Sequence, residues 1–116
     1  MNQIKIKRIY EDPSEDDGFR ILVDRIWPRG VSKEDAELDD WKKELAPTDG
    51  LRKWFDHDPK KFNDFAQKYA KELEDKKENL SGILRLAKDK TVTLLYGAKD
   101  IEHNQAVVLQ NILNDM

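Results

Sequence analysis

The chain has 116 residues, of which 38% are hydrophobic and 39% charged, and its formal net charge at pH 7 is -3. This length suits one domain with one core, and the aromatic content excludes a disordered chain. The absence of cysteine excludes disulfides, thiolate nucleophiles and cysteine-based metal sites, and the net negative charge excludes an overall basic field for nucleic acid.

The first part of the chain predicts two strands. Ile4, Ile6 and Ile9 alternate with basic residues, which is typical of a short strand near a sheet edge. The acidic segment 11–18 contains Pro and Gly and indicates an exposed loop. The segment 19–23 is mostly apolar and partly β-branched, so we expect a strand nearer the sheet centre.

Loops and short helices are predicted next. Trp27-Pro28-Arg29-Gly30 indicates a loop, and Ser32 predicts the cap of a helical turn over 33–38. The segment 39–47 favours no regular element. Thr48 is expected to cap a further short helix. Its predicted buried stripe consists of Leu51, Trp54 and Phe55.

The second half predicts two long helices, a strand and a final helix. An Asp58-Pro59 pair indicates the start of a helix over about 59–75, and a second apolar stripe extends to about residue 88. The β-branched segment 91–96 predicts another interior strand. Asp100 is the predicted N-cap of the last helix.

These elements together predict a single layered α/β domain spanning residues 1–116. Its expected order is β-β-α(short)-α-α-α-β-α, with a small, mainly parallel sheet and helices packed on it. The long helices separate the second strand from the last strand, as a right-handed crossover between parallel strands requires.

Polar residues follow both predicted interior strands. Parallel strands end at the same edge of a sheet, where ligands collect in folds of this class. After the first strand come Asp24, Arg25, Trp27, Arg29 and Gly30. After the second come Gly97, Lys99, Asp100, His103 and Asn104.

This edge predicts a polar pocket that accepts an anion. His103 is expected in the first turn of the last helix, where the dipole attracts anions and favours a neutral imidazole. Asp24 is expected to orient that imidazole, so His103 and Asp24 are the candidate catalytic residues. The candidate ligand-binding residues are Arg25, Trp27, Arg29, Arg52, Tyr96 and Asn104.

Each candidate also has a structural explanation. Asp24 and Arg25 are equally well interpreted as an internal ion pair, and Trp27 and Trp54 are also interpretable as core side chains. Asn104 is also interpretable as a brace for its own helix turn, and His103 as a capping or surface residue. His57 precedes Asp58-Pro59 and is interpreted as part of a helix cap rather than as a catalyst.

Several blocks resemble a known family, the YeaO-like branch of the domain of unknown function family 488, over nearly the whole chain. The matching blocks are Val23-Asp24-Arg25-Ile26-Trp27-Pro28-Arg29-Gly30-Val31, Leu45-Ala46-Pro47, Leu51-Arg52-Lys53-Trp54-Phe55, His57-Asp58-Pro59, Thr93-Leu94-Leu95-Tyr96 and Glu102-His103-Asn104 with Ala106. The resemblance implies Asp-x-Arg and Cys-His-Arg sequences after two core strands. Here Asp24-Arg25 and His103-Asn104 stand at those places, without the cysteine and the second arginine.

Three hypotheses for the function follow. The first is an enzyme or binding protein for a small anionic or phosphate-bearing molecule. The second is a nucleic-acid accessory module that uses Arg and Trp residues, and the third is a protein-interaction domain without catalysis. Nucleotide-binding and serine-hydrolase motifs are absent, no metal site is predicted, and the sequence selects neither a cofactor nor an oligomeric state. No segment is apolar over the ~20 residues that span a membrane, and a cytoplasmic location is expected.

Overall fold

Four parallel strands form the centre of the fold in a computed structural model that describes residues 3–116. They are β1 (Ile4–Arg8), β2 (Phe19–Leu22), β3 (Asp40–Trp41) and β4 (Val92–Tyr96). Their order across the sheet is β1-β4-β2-β3, and every neighbouring pair is parallel. The predicted α/β class with a small, mainly parallel sheet is therefore confirmed.

Five α-helices surround this sheet in the described part of the chain. They are α1 (Lys33–Ala36), α2 (Asp49–Phe55), α3 (Phe62–Glu72), α4 (Lys77–Asp89) and α5 (Gln105–Asp115). Short 3-10 turns occur at Glu15–Asp17, Lys43–Leu45, Pro59–Lys61 and Leu73–Lys76. No helix within residues 3–116 is both long and apolar enough to cross a membrane.

Most predicted helix starts are confirmed by their capping hydrogen bonds. Ser32 accepts from the amide of Asp35, Thr48 from that of Leu51, and Asp58 from that of Lys60. The prediction that Asp100 caps the last helix is wrong, because α5 begins at Gln105 and Asn104 is its N-cap. The segment 39–47, which favoured no regular element, contains β3 and a 3-10 turn.

The strands differ in burial as their positions in the sheet require. β1 lies at an edge, as predicted, and only its first residue is fully buried. All five residues of β4 are buried because β4 lies between β1 and β2. The register pairs Ile21 with Leu94 and Leu22 with Leu95. These adjacent pairs point to opposite faces, so each face of the sheet has its own core.

The larger core packs α3, α4 and α5 against one face of the sheet. Ile21 and Leu94 are completely buried there, together with Phe65 and Tyr69 of α3. The opposite face carries a smaller cluster in which Leu22 and Leu95 contact the Trp27–Trp41 region. Burying each large apolar side chain contributes roughly 1.5–3 kcal/mol, so the larger cluster dominates the stability of the domain.

A buried charge cluster holds the amino-terminal end of β2. Asp17 binds Lys7 at 3.1 Å and also binds Arg20. Burial alone would raise the pKa of Asp17, but hydrogen bonds from the Ser14 amide, Lys7 and Arg20 outweigh burial and lower it. Gly18 has φ +63°, and a Cβ there would lie 2.1 Å from the carbonyl oxygen of Thr91. These contacts lie at the opposite end of β2 from Asp24 and serve the fold.

Candidate functional site

The carboxyl ends of β2 and β4 open into one cleft. The chain leaves both strands at the same edge, where the amide of Val23 donates to the carbonyl of Leu95 at 3.0 Å. The space beyond this edge, called here the strand-end cleft, has a volume of about 250 Å³. It is lined by Tyr10, Asp24, Arg25, Ile26, Pro28, Pro47, Arg52, Phe55, His57, Phe65, Gly97, Ala98, Asn104 and Gln105.

Asp24 is a largely buried carboxylate in the wall of the strand-end cleft. One oxygen accepts from the Gly97 amide at 2.9 Å, and the other accepts from the Gln105 side chain. A Cβ at position 97 would lie 2.8 Å from Asp24 Oδ2, so a larger residue there would displace the carboxylate. Burial raises the pKa of Asp24 to about 6 even though the Gly97 and Gln105 hydrogen bonds lower it. Among the described residues, Asp24 is therefore an acid whose pKa allows it to exchange a proton near neutral pH.

Arg25 is held by backbone carbonyl groups rather than by a carboxylate. Its Nε donates to Pro47 at 2.8 Å and one terminal nitrogen donates to Ala46 at 3.3 Å. This carbonyl segment is fixed from the other side by the buried hydroxyl of Tyr69, which donates to Leu45. The ion pairs among residues 3–116 include neither Arg25 nor Asp24. Among the described residues, no carboxylate therefore forms an ion pair with the Arg25 guanidinium.

Two further basic side chains reach the cleft from the end of α2. Arg52 is exposed and makes a long contact of 3.4 Å to Asp49. His57 follows the helix at φ 54°, and the preceding Asp56 has φ 47°. Two consecutive left-handed residues other than glycine are uncommon, and such backbone strain concentrates at functional sites. The sharp turn that they form brings His57 back to the cleft rim.

The floor of the strand-end cleft is aromatic. Phe55 and Phe65 stack with ring centroids 4.2 Å apart and an interplanar angle of 18°. Both rings are buried, at 5% and 1% exposure, so they belong to the main core as well as to the cleft. The aromatic floor is therefore where the cleft meets the main core.

The rim of the cleft includes two exposed apolar side chains. Ile26 is 57% exposed and Tyr10 is 45% exposed. The Tyr10 hydroxyl donates to the carbonyl of Arg29 at 2.9 Å, and the Arg8 guanidinium lies 5.0 Å from its ring centroid. Tyr10 thereby fastens the loop after β2, which carries Ile26 and Pro28, to the end of β1.

Four of the eight residues proposed from the sequence line the strand-end cleft. They are Asp24, Arg25, Arg52 and Asn104. Asn104 also braces its own helix, since its Oδ1 accepts from Val107 at 3.1 Å and its Nδ2 donates to Asp100 at 2.9 Å. Both ends of its amide take part in these bonds, so its main part in the cleft is to position α5.

The other four proposed residues lie outside the cleft lining. Trp27 donates to the carbonyl of Val31 at 2.7 Å and packs edge-on against Trp41. Arg29 is exposed, and Tyr96 is buried in the main core with a pKa raised by that burial. His103 lies before the helix cap rather than in the first helical turn.

The carboxylate that contacts His103 is Asp100, not Asp24. His103 Nδ1 lies 2.9 Å from Asp100 Oδ2, and the ring packs edge-on against Phe62 at 5.1 Å between centroids. The pKa of Asp100 is lowered, chiefly by a hydrogen bond from the Glu102 amide. His103 and Asp100 thus form a local pair in the turn before α5.

Several residues that line the cleft are not identified by sequence reasoning. The sequence pattern assigns His57 to a helix cap and Phe55 to the core, with no role in the cleft for either. Gln105 and Tyr10 carry no motif, although Gln105 directly follows the Glu102-His103-Asn104 block. Within residues 3–116, no group of three or more His, Asp or Glu side chains is arranged to hold a metal ion.

Comparison with known proteins identifies related chains of similar length. A family model described as the inactive DUF488-N3 subclade matches residues 3–116. The uncharacterized protein YeaO of Escherichia coli (strain K12) is 40% identical over 113 residues, which cover 97% of this chain and 98% of the relative. An uncharacterized protein of Mycobacterium tuberculosis (strain ATCC 25618 / H37Rv) is 38% identical over 112 residues, covering 97% and 94%. No solved structure matches the chain at a significant level.

Proposed function

Because the chain belongs to the inactive DUF488-N3 subclade, we propose that it binds a small molecule without converting it, and that the ligand is an anion with an apolar body. The family description calls the subclade inactive, which supports the part of the proposal that excludes turnover. The observation that carries the proposal is the strand-end cleft, which combines an uncompensated arginine with an aromatic floor.

The charges in the cleft support an anionic group on the ligand. Arg25 and Arg52 supply two positive charges, and Arg25 is oriented by two carbonyl groups before any ligand arrives. A guanidinium that is held in place loses little side-chain entropy when it binds a carboxylate or phosphate. Arg52 stands at the exposed rim, where it attracts and contacts the same group.

The volume of the cleft supports a ligand with about one ring. Pockets for drug-sized molecules measure ~300–1,000 Å³, and the strand-end cleft is smaller, at about 250 Å³. Phe55 and Phe65 line this space and make part of its wall apolar. An aryl or branched alkyl group fits such a surface and gains free energy from its removal from water.

Replacement of Arg52 tests the proposal with 3-phenylpropionate as the probe. The Arg52→Gln variant removes one exposed charge from the rim, and a charge-assisted hydrogen bond there is worth on the order of 1 kcal/mol, or about five-fold in affinity. We expect isothermal titration calorimetry to show about that loss, together with weaker binding to the natural chain at higher salt.

Arg85→Gln is the matched control for this experiment. Arg85 is also exposed, but it lies on α4 away from the strand-end cleft. Its replacement changes the net charge by the same amount and should leave the affinity for 3-phenylpropionate unchanged. Equal losses in the two variants, or no binding to the natural chain, would show that the cleft is not an anion site.

A nucleic-acid-binding role is the second candidate, and Trp54 is the observation that favours it. Its side chain is 38% exposed, and the amino groups of Lys61 and Lys68 each lie 5.1 Å from its ring centroid. An exposed aromatic ring between cations resembles the stacking sites of single-strand binders. The net charge of -3 and the internal packing of Trp27 argue against this second candidate.

A further inference from the structure

The strand-end cleft contains a negatively charged carboxylate, Asp24, whose presence an anionic ligand does not explain. Both oxygens of Asp24 accept hydrogen bonds from uncharged groups, the Gly97 amide and the Gln105 side chain. No Lys, Arg or His of residues 3–116 forms an ion pair with this carboxylate. Buried carboxylates are normally paired with a cation, because removal of their charge from water is costly.

The negative and positive groups of the cleft do not neutralise each other within the protein. Arg25 follows Asp24 in sequence, yet its guanidinium turns to the carbonyl groups of Ala46 and Pro47 instead. Asp24 turns to the segment after β4. The two side chains therefore leave the strand end in different directions and present two separate charges to the same cleft.

We infer that the ligand is amphoteric, with an ammonium or similar cationic donor that binds Asp24 and an anionic group that binds Arg25 and Arg52. This inference rests on the proposed function and names the chemical class of its ligand. The apolar body of such a molecule would lie on Phe55 and Phe65. A free amino acid with an aromatic or branched side chain has all three features.

Protonation does not remove the negative charge of Asp24 at neutral pH. Burial raises the pKa of this carboxyl to about 6, so most molecules carry the negative charge at pH 7.5. Each carboxylate oxygen has further acceptor capacity beyond its one hydrogen bond from the protein. The wall of the cleft thus contains a negatively charged acceptor. A purely anionic ligand would not bind this acceptor and would be repelled by it.

Three probes with the same phenyl group test this inference at pH 7.5. Phenylalanine carries both charges, 3-phenylpropionate carries only the carboxylate, and phenethylamine carries only the ammonium group. We expect phenylalanine to bind about ten-fold more tightly than 3-phenylpropionate, since a charge-assisted hydrogen bond to a largely buried acid is worth roughly that factor. Phenethylamine should be weaker than phenylalanine because it leaves the arginines unused.

The Asp24→Asn variant tests whether the charge of Asp24 causes the tighter binding of phenylalanine. It keeps the size of the side chain and one acceptor oxygen, but it removes the negative charge. In this variant the advantage of phenylalanine over 3-phenylpropionate should fall to about two-fold or less. The affinity for 3-phenylpropionate should stay the same or rise, because a repulsive charge has been removed. An advantage that survives in Asp24→Asn would overturn the inference.

A measurement on the natural chain does not depend on that variant. The titration of Asp24 can be followed through its carboxyl carbon by nuclear magnetic resonance, with and without saturating probe. Phenylalanine should lower the midpoint, because a bound ammonium favours the ionised carboxylate, and 3-phenylpropionate should raise it. A midpoint that phenylalanine leaves unchanged or raises contradicts contact between the ammonium group and Asp24.

The outcomes separate this inference from the proposed function. If 3-phenylpropionate binds and Arg52→Gln weakens it, but phenylalanine binds no more tightly, then the anion site stands and the amphoteric ligand is wrong. If none of the three probes binds, the proposed function fails and this inference fails with it.

Discussion

At the scale of single residues, Asp24 is a carboxylate in an environment that disfavours its charge. It is largely buried, it receives two hydrogen bonds from uncharged donors, and a larger residue at position 97 would displace its carboxylate. The Trp41 side chain holds the Asp24 backbone carbonyl at 2.7 Å, so the main chain is fixed as well. The protein therefore maintains a carboxylate where its charge is destabilising, which is typical of residues kept for function.

The free energy of unfolding should report this cost as a function of pH. The pKa of Asp24 is about 6 when folded, above its ordinary value of 3.8. A raised pKa contributes stability that is fully present below about pH 4 and is lost as the pH rises through 6. Asp24→Asn cannot ionise, so we expect its stability relative to the natural chain to rise between pH 4 and pH 7 by on the order of 2 kcal/mol.

Urea denaturation of both proteins at several pH values measures this difference. The Gln105 amide can turn to accept from the asparagine amide that this substitution introduces, so the variant is expected to fold. A difference that does not change with pH would mean that Asp24 has an ordinary pKa in the folded state.

At the scale of elements, the start of α5 shows how a cap also shapes the cleft. Asn104 is 1% exposed, accepts from Val107 and donates to the carbonyl of Asp100. Its neighbour Gln105 begins the helix and donates to Asp24. The position of the first helical turn therefore controls the hydrogen bond that holds the Asp24 side chain.

Loss of this cap should destabilise the domain. Asn104→Ala removes the acceptor for the Val107 amide, and helix N-caps of this kind are worth about 1 kcal/mol, with a range of roughly 0.5–2 kcal/mol. We expect a loss at the upper end of that range, because the replaced group is buried. Asn104→Ser keeps an oxygen acceptor and should lose less in urea denaturation. Equal losses in the two variants would show that the capping bond contributes little.

The elements themselves were largely predictable from the sequence, but this helix start was not. Two residues with good capping side chains, Asp100 and Asn104, lie four positions apart. Asp100 uses its carboxylate on the amides of Glu102 and His103 and closes a turn instead. Local sequence patterns do not distinguish these outcomes, because Asp and Asn are both favoured at helix N-caps and in turns.

At the scale of the whole molecule, the parallel sheet brings distant segments to one edge. Asp24 and Gly97 are far apart in the sequence, yet they share a hydrogen bond because β2 and β4 are adjacent and parallel. That much of the site followed from the strand pattern. His57 and Tyr10 were not predictable, because a left-handed turn after α2 and the end of an edge strand bring them to the cleft.

Loop direction also explains the predicted residues that lie elsewhere. Trp27 follows β2 closely enough to face the cleft, but its indole N–H binds Val31 and its ring joins the smaller core. His103 follows β4 and instead pairs with Asp100 beside Phe62. Adjacency to a strand end predicts which segment reaches the edge of the sheet. The hydrogen bonds within each loop then decide which side chains enter the strand-end cleft.

Chemical-shift mapping of the 15N-labelled natural chain, titrated with phenylalanine at pH 7.5, tests the strand-end cleft most directly. We predict saturable shifts that concentrate at the amides of Arg25, Gly97 and Gln105 and at the side chains of Arg52 and His57. These residues come from four separate segments that only the fold unites. Shifts that are absent, or that concentrate instead around Trp54, Lys61 and Lys68, would contradict the account.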